Sequence, residues 1–350
     1  MTDLDQRIAS TLRERAEGAV DTDRLTARAV TVGRTRRRRR RTGTGVALGL
    51  VAALGFGATT VPELPRQLPR THAGPSTAPV VPPREPGAPG AAARPDLVGA
   101  DPGVLHFGID PARARYLGWE AGRGVESVRL DLGGDRQVVV DLARTAADVE
   151  QAFHDGMSYS PEPAGATGFD GQIRRVPPSG PGGQPGWILR WRPGPGLYAR
   201  VTTVAPDDRD LRTAVAALRL DEAYRCAAPL RLTALPAGAR LGRCAVTVIN
   251  FPDSLDVQFT VLGSKEERLD VRLEYRSEIA GSRTEGNRTI GGRPAYRYPR
   301  GDKLELLGIP KAHLTVWFGW PHQGFTEADA ATVLAGVDLA TDLTRPDTWE

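Results

Sequence analysis

The chain has 350 residues, an isoelectric point of about 9.3 and 40% hydrophobic residues, which is enough apolar material for a packed core. Its basic excess lies at one end, because residues 1–61 contain 12 arginines and 6 acidic residues, whereas the remainder contains 34 basic and 36 acidic residues. A nucleic-acid-binding domain would carry a basic surface on its folded part. The charge distribution therefore excludes nucleic acid as the expected partner.

Residues 1–41 are predicted to form a cytoplasmic segment of two short helices followed by an arginine cluster. In the first helix, Leu4, Ile8 and Leu12 fall at i, i+4 spacing and share one face. Helices of this length are marginal in water on their own, so the apolar stripe indicates a partner, such as a cytoplasmic regulator, the bilayer surface or a second copy. The alternative is a partly disordered tail without a partner.

Residues 42–62 contain no charged side chain and are predicted to form a transmembrane helix, since about 20 helical residues span the hydrocarbon layer. Arginine is retained on the cytoplasmic side, which places the N-terminus in the cytoplasm and the C-terminal domain outside the cell membrane. The orienting residues are Arg36, Arg37, Arg38, Arg39, Arg40 and Arg41. The alternatives are a cleaved export signal, with residues 46–58 as its apolar region, and a soluble protein.

Residues 63–99 are predicted to form an extended linker. Ten prolines lie between residues 62 and 98, and proline breaks helices and favours the polyproline II conformation. Such a stalk would lift the following domain off the membrane and into a cell wall.

Residues 100–350 show strand patterns, and we expect an α+β fold of two repeated units, 100–224 and 225–350. Each unit would be an antiparallel sheet with one helix packed on it. The strands are expected within 125–132, 136–143, 168–176, 186–193 and 196–205, and again within 255–262, 267–276, 291–299, 303–309 and 313–320. The closing helices are expected at 207–220 and 326–339, and the stretch 226–244 is interpreted as a connector.

The two cysteines of the chain, Cys226 and Cys244, stand at the ends of that connector. An even count in a domain expected outside the membrane favours one disulfide, which would contribute about 3 kcal/mol if unstrained. The alternative is a pair of free buried thiols.

The layout of cytoplasmic helices, arginine cluster, single span, proline-rich stalk and outer domain resembles that of actinobacterial single-pass membrane proteins, including transmembrane anti-sigma factors. The resemblance concerns the layout of the first hundred or so residues. It implies cytoplasmic helices that hold a sigma factor and an outer domain that senses. Many such factors carry a His/Cys zinc motif in the cytoplasmic helices, and residues 1–41 contain neither residue type.

We find no catalytic motif, and we expect neither enzyme activity nor a metal or other cofactor. No two of the five histidines have the i, i+4 spacing of a zinc pair, and no Gly-x-Ser-x-Gly sequence occurs. The candidate ligand-binding residues are Trp187, Trp191, Trp317 and Trp320, which either fill the core or stack on the sugars of a cell-wall polymer.

The sequence thus predicts a single-pass membrane protein whose outer domain binds or senses a cell-wall polymer or a protein. The first alternative is a signalling protein that acts, like an anti-sigma factor, through residues 1–41. The second alternative is an exported hydrolase of unrecognised type, which would be indicated by a hydrolytic activity that is lost on changing His313 or His322.

Overall fold

The computed structural model describes residues 79–134, 136–152, 168–178, 183–265, 267–279, 285–319 and 324–349. The predicted cytoplasmic segment, 1–41, the predicted transmembrane helix, 42–62, and the first part of the predicted linker lie outside these residues. None of the helices within the described ranges is long and apolar enough to cross a membrane.

Within these ranges the chain forms 19 β-strands, three α-helices and two 3₁₀ helices, Pro95–Leu97 and Pro346–Thr348. The first strands are β1 (Val104–Leu105), β2 (Gly108–Ile109), β3 (Arg115–Gly122), β4 (Val125–Asp131), β5 (Gln137–Ala143), β6 (Ile173–Val176), β7 (Gly186–Trp191), β8 (Tyr198–Val204), β9 (Leu218–Arg219) and β10 (Tyr224–Arg225). The later strands are β11 (Leu230–Leu232), β12 (Arg240–Thr247), β13 (Ser254–Leu262), β14 (Arg268–Arg276), β15 (Arg288–Ile290), β16 (Arg293–Arg297), β17 (Lys303–Leu306), β18 (Ala312–Trp317) and β19 (Val337–Leu339). The helices are α1 (Ala146–Gln151), α2 (Arg209–Ala217) and α3 (Glu327–Ala335).

Thirteen of the described strands form one antiparallel sheet, in the order β15-β16-β17-β18-β14-β13-β12-β3-β4-β5-β8-β7-β6. The other six form three small two-stranded sheets, which pair β1 with β10, β2 with β9 and β11 with β19. Glycine sets the tight turn between β4 and β5, where Gly133 and Gly134 have φ values of 89° and 64°. These are conformations that glycine adopts at no steric cost.

The prediction of an α+β fold with two repeated sheet-plus-helix units is wrong. Strand β3 pairs with β12 from Gly118 to Gly122 against Arg243 to Thr247, which joins both parts of the chain in a single sheet. The fold is mostly β, because the three described helices have only six, nine and nine residues. The two strands of this central pair were absent from the sequence prediction, and 240–244 had been assigned to the connector.

The strand order reads the same outward from the central pair in both directions. From β3 it continues with β4, β5, β8, β7 and β6, and from β12 it continues with β13, β14, β18, β17 and β16. In each direction the two strands after the central one follow it directly in the chain, and the next three come in reverse order. The centre of the sheet is therefore the contact between its two halves.

One face of the large sheet carries the hydrophobic core. Successive side chains of a strand point to opposite faces, and on β12 the core side chains Cys244 and Val246 alternate with partly exposed ones. The helices α2 and α3 pack over this face and bury Leu211 and Val333 in it. Helix α3 begins with a capping box, in which Thr326 and Asp329 exchange hydrogen bonds with each other's backbone N–H groups.

The last part of the predicted linker, residues 79–99, packs against this domain. Val80, Ala91 and Val98 are buried in the main core. The backbone N–H of Arg225 donates to the carbonyl oxygen of Pro83 at 2.7 Å, which ties this segment to β10.

The predicted disulfide between Cys226 and Cys244 is confirmed, with its Cα atoms 6.2 Å apart. Both cysteines are fully buried. Next to them, the indole Nε1 of Trp119 donates to the carbonyl oxygen of Cys226 at 2.9 Å. The bond therefore fixes the segment after β10 to the central strand β12, inside the core.

Candidate functional site

The second face of the large sheet, here called the polar face, carries a row of side chains that runs across the strands. Its members lie directly opposite each other on neighbouring strands, which are about 4.8 Å apart. The row consists of Tyr296, Glu305, Thr315, Arg272, Gln258, Ala245, Glu120, Ser127, Asp141, Arg200 and Arg190. Ten of these eleven side chains can form hydrogen bonds, so polar character crosses most of the sheet.

A groove of about 450 Å³ lies at the middle of the polar face. Small side chains at Gly118, Ala245 and Ser127 leave space there, and the long side chains of Arg129 and Arg272 line it as well. The full lining is Leu117, Gly118, Trp119, Glu120, Ser127, Val128, Arg129, Val139, Arg243, Ala245, Thr247, Asp256, Gln258 and Arg272. The groove therefore draws on six adjacent strands, from β14 to β5.

The central pair of strands requires a glycine at position 118. A Cβ atom added to Gly118 would lie 2.6 Å from the carbonyl oxygen of Val246, a backbone atom of the neighbouring strand. The pairing of β3 with β4 shifts register between Tyr116 and Gly118, as expected for a β-bulge at Leu117. The bulge and the glycine together let the two strands approach closely beneath the groove.

Both carboxylates that line the groove are held by arginines. Arg243 donates from Nε and Nη2 to the two oxygens of Glu120, each at 2.6 Å. Asp256 accepts from Nη2 of Arg276 at 2.9 Å and from Nη2 of Arg272 at 3.4 Å. Because three arginines and two carboxylates line the groove, its charge balance is positive.

One end of the polar row is covered by α1. Asp141 is fully buried and accepts from Arg200 at 2.9 and 2.7 Å and from Ser127 Oγ at 2.7 Å. Nε of the buried Arg190 donates to Glu150 of α1 at 2.5 Å. The pair of Arg190 and Glu150 holds the helix on the sheet, and the groove lies beside the covered part of the row.

A second buried carboxylate lies on the core face and has a structural role. Glu126 is fully buried and accepts from the backbone N–H groups of Gly99 at 2.8 Å and His106 at 2.6 Å. The Nδ1 atom of His106 lies 2.6 Å from the same carboxylate. All these contacts are internal, so the pair fixes residues 99–106 to β4 and leaves His106 buried.

A smaller cavity of about 250 Å³ lies where residues 81–84 meet β2 and β10. Its charged groups are paired across it, since Arg84 lies 2.6 Å from Glu222 and Arg219 lies 2.6 Å from Asp110. Tyr224 donates its hydroxyl to Glu222. Burial, and then this bond to Glu222, raise the pKa of Tyr224 to about 12. The charged groups of this cavity are already engaged in ion pairs with one another, and its volume is smaller, so we regard the larger groove as the candidate site.

The predicted tryptophan residues have different surroundings. Trp187 is partly buried and donates from Nε1 to the carbonyl oxygen of Ala205 at 3.0 Å, and Trp191 packs against the core. Trp317 is 45% exposed on β18, eight strands from β7 in the sheet order. Trp320 lies outside the described residues. Of the three predicted tryptophans that the structure describes, Trp317 is the most exposed.

Other predicted residues fall partly outside the described chain. The orienting arginines, Arg36 to Arg41, and the histidines His154 and His322 are not among the described residues. His313 lies on β18, where its Nδ1 atom is 2.6 Å from Oε1 of Glu305. Within the described ranges, no group of three or more His, Cys, Asp or Glu residues could hold a metal ion.

The sequence prediction did not include the groove. Its lining residues Glu120 and Arg243 lie on β3 and β12, the central pair of strands, which the sequence analysis did not predict. The sequence of β12 did contain a strand pattern, because its partly exposed residues Arg243, Ala245 and Thr247 alternate with buried ones. Such alternation is typical of a strand with one buried face.

No protein-family model matches the chain, and no curated protein matches it. Two solved structures align with it at 15% sequence identity: the crystal structure of MucB in complex with MucA(peri), and the complex structure of Pseudomonas aeruginosa MucA/MucB. Each alignment covers 68% of this chain and 92% of the matched chain, with TM-scores of 0.22 and 0.23. TM-scores this low establish no shared fold, partner or function.

Proposed function

We propose that this chain is a membrane-anchored binding protein whose folded domain, outside the cytoplasm, captures an acidic segment of a protein partner. The observation that supports it is the groove on the polar face. It is an open depression of about 450 Å³, it draws on six strands, and its charge balance is positive. Binding sites of this kind combine a concave shape with a few convergent polar groups.

The chemistry of the groove favours carboxylates as the groups that it recognises. A guanidinium group presents a planar fork of N–H donors that matches a carboxylate. The groove carboxylates Glu120 and Asp256 already accept hydrogen bonds from arginines. A segment with acidic side chains would add partners to Arg272, whose side chain is 48% exposed.

The location outside the cytoplasm is supported by the buried disulfide, since such bonds persist in oxidising compartments. The uncharged stretch 42–62 behind the arginine cluster supports the anchor, with the N-terminus in the cytoplasm. In this arrangement residues 1–41 could transmit binding to a cytoplasmic regulator, as in the anti-sigma alternative. Mass spectrometry of the mature N-terminus tests the anchor: Met1 or Thr2 in the membrane fraction supports it, and a secreted chain starting near residue 60 contradicts it.

The groove itself is tested with the full-length chain and two synthetic peptides of equal length. One peptide alternates glutamate with serine, and the other has glutamine in place of each glutamate. Fluorescence anisotropy measures the binding of each peptide. We expect the glutamate peptide to bind and the glutamine peptide to bind at least about tenfold more weakly, because hydrogen bonds to charged groups contribute about 1.5–3 kcal/mol.

Two variants test whether the glutamate peptide binds in the groove. Arg272→Gln removes a groove charge, and Arg231→Gln removes a charge of similar exposure, 46%, that lies outside the groove. The first variant should lower the affinity for the glutamate peptide about tenfold, and the second should leave it unchanged. Equal binding of both peptides, or equal effects of both variants, would show that the groove does not recognise acidic segments.

A further inference from the structure

The exposed Trp317 lies beside a lysine that is held between two aromatic rings. Trp317 on β18 is paired with Lys303 on β17. The Nζ atom of Lys303 lies 4.8 Å from the centre of the Trp317 ring and 4.4 Å from the centre of the Tyr298 ring. An ammonium group over an aromatic face is attracted by the ring. The lysine is therefore positioned before any ligand arrives, which reduces the entropy that binding would cost.

Two carboxylates that flank this lysine in the sheet are engaged elsewhere. Glu305, two residues along β17, is almost fully buried and accepts from the hydroxyl of Tyr298 at 2.6 Å, with His313 Nδ1 at 2.6 Å from its other oxygen. Asp270, opposite Trp317 on β14, accepts from Arg268 at 2.8 Å and from Thr260 Oγ1 at 2.8 Å.

Among the described residues, Lys303 has no carboxylate partner. Across the described part of the chain it forms no ion pair within 4.0 Å of an acidic side chain. The lysine thus presents a positive charge beside an exposed indole, and no neighbouring acid neutralises it by direct contact.

We propose that Trp317 and Lys303 form a binding site for a sugar that carries a carboxylate, such as a uronic acid unit of a polysaccharide. The C–H face of a pyranose ring packs on the exposed indole, and the carboxylate of the sugar pairs with the Lys303 ammonium. Tryptophan suits this role because it combines a large apolar surface with a polar edge.

The surroundings fit a small polar ligand better than a protein surface. Among the described residues, the exposed large apolar side chains are Trp317 and Val204, and Val204 is on β8, seven strands away in the sheet order. Protein interfaces need on the order of 1,000 Å² with an apolar centre. A single aromatic ring among charged side chains provides no such centre, but it is sufficient to stack one sugar ring.

This site lies next to one edge of the groove. Trp317 stands opposite Asp270 on the neighbouring strand β14, and the groove residue Arg272, two positions along that strand, is its diagonal neighbour at about 7–8 Å. The other groove residues lie on β13, β12, β3, β4 and β5, two to six strands from β18. Because neither Trp317 nor Lys303 lines the groove, the proposal stands without the proposed function, and different variants test the two.

The test uses the full-length chain, a tetrasaccharide of galacturonic acid and the neutral tetrasaccharide of galactose with the same linkage. Isothermal titration calorimetry measures the affinity for each. We expect the acidic sugar to bind at least about tenfold more tightly than the neutral one, and its affinity to fall with added salt. If the wild-type chain binds neither sugar, or both equally, the proposal is wrong.

Four variants complete the experiment. Lys303→Gln should reduce the affinity for the acidic sugar to that for the neutral one, whereas Lys265→Gln, which removes an exposed lysine elsewhere, should behave as wild type. Trp317→Ala should weaken the binding of both sugars about tenfold or more, and Trp317→Phe, which keeps a ring, should retain most of it. The proposal would be overturned if Lys303→Gln still bound the acidic sugar more tightly than the neutral one. It would also be overturned if Trp317→Ala bound the sugars as tightly as the wild type.

A groove variant separates this site from the proposed peptide site. Arg129→Gln should leave the affinity for the acidic sugar unchanged, since Arg129 lines the groove on β4, five strands from β18. If Arg129→Gln abolishes sugar binding while Trp317→Ala does not, the sugar binds in the groove and the assignment to Trp317 is wrong.

Discussion

Reducing the disulfide between Cys226 and Cys244 should lower the free energy of unfolding of the domain. The expected loss follows from the length of the loop between the two cysteines. The two cysteines are 18 residues apart. Closing a loop of this size removes conformational entropy from the unfolded chain that corresponds to about 3 kcal/mol at 25 °C. Both residues are fully buried in the main core, so the native packing around the bond is expected to persist after reduction.

The measurement is urea unfolding of the full-length chain in its oxidised and reduced forms. Because the disulfide is buried, the chain is first reduced in denaturant and then refolded in the presence of reductant. Tryptophan fluorescence reports the transition, and Trp119, whose indole bonds to the carbonyl oxygen of Cys226, lies at the site. With an m-value near 3 kcal/mol/M, the loss of about 3 kcal/mol corresponds to a drop of about 1 M in the urea midpoint.

A double variant, Cys226→Ala with Cys244→Ala, serves as the matched control. It should unfold like the reduced wild type, apart from a smaller further loss from the missing sulfur atoms. If the midpoint stays the same while mass spectrometry shows two free thiols, the loop-closure explanation fails. A loss well above 3 kcal/mol would instead mean that the bond holds native packing that the free thiols cannot replace.

Three further predictions concern single residues. Asp141→Asn should destabilise the domain by about 3–5 kcal/mol, because it leaves a buried arginine without its carboxylate, whereas the exposed Asp207→Asn should have little effect in the same urea assay. Gly118→Ala should lower the urea midpoint because its Cβ would lie 2.6 Å from a backbone oxygen, and Gly194→Ala, whose nearest atom is at 3.9 Å, should not. Folding raises the pKa of Tyr224 to about 12, so its stabilising effect is complete below pH 10 and disappears as the pH rises through 12. The free energy of unfolding should therefore fall less steeply between pH 10 and pH 12 in Tyr224→Phe than in the wild type, and equal slopes would contradict this.

Local patterns of apolar residues were enough to predict many strands of the folded domain. The segments 136–143, 255–262 and 267–276 were expected as strands, and the structure has β5, β13 and β14 there. The helix expected at 326–339 is present as α3, although β19 occupies its last residues. Burial largely alternates along β13 and β14, whereas β5 is an apolar run buried on both faces, and both kinds of pattern are visible without the tertiary structure.

The central pair of strands could not be recognised in this way. On β3, residues 116–119 are buried without alternation, because a bulge at Leu117 interrupts the period, and Gly118 contributes no side chain. Glycine inside a strand weakens the pattern and often marks a bulge. The first residues of β12 fell in the stretch 226–244 between the two cysteines, which was interpreted as a connector between the expected units. Missing these two strands produced the wrong division into two separate sheets, since β3 and β12 are where the two halves meet.

The candidate groove was missed for the same reason. A groove that draws on six strands depends on which residues stand opposite each other, and this register is a tertiary property. Arg129 and Arg272 are 143 positions apart in the sequence and line the same depression. The disulfide could be predicted because two cysteines permit a single pairing, which requires no knowledge of the fold.

The same strand order on both sides of the central pair has a consequence for how a ligand would lie. Outward from Glu120 the polar row continues with Ser127, Asp141 and Arg200, and outward from Ala245 it continues with Gln258, Arg272 and Thr315. The backbone is alike in both directions, but the second position carries the buried, arginine-paired Asp141 on one side and the half-exposed Arg272 on the other. An acidic segment of the proposed kind would therefore place its carboxylates on the Arg272 side of the central pair, so a backbone that repeats on both sides presents an asymmetric charge to its ligand.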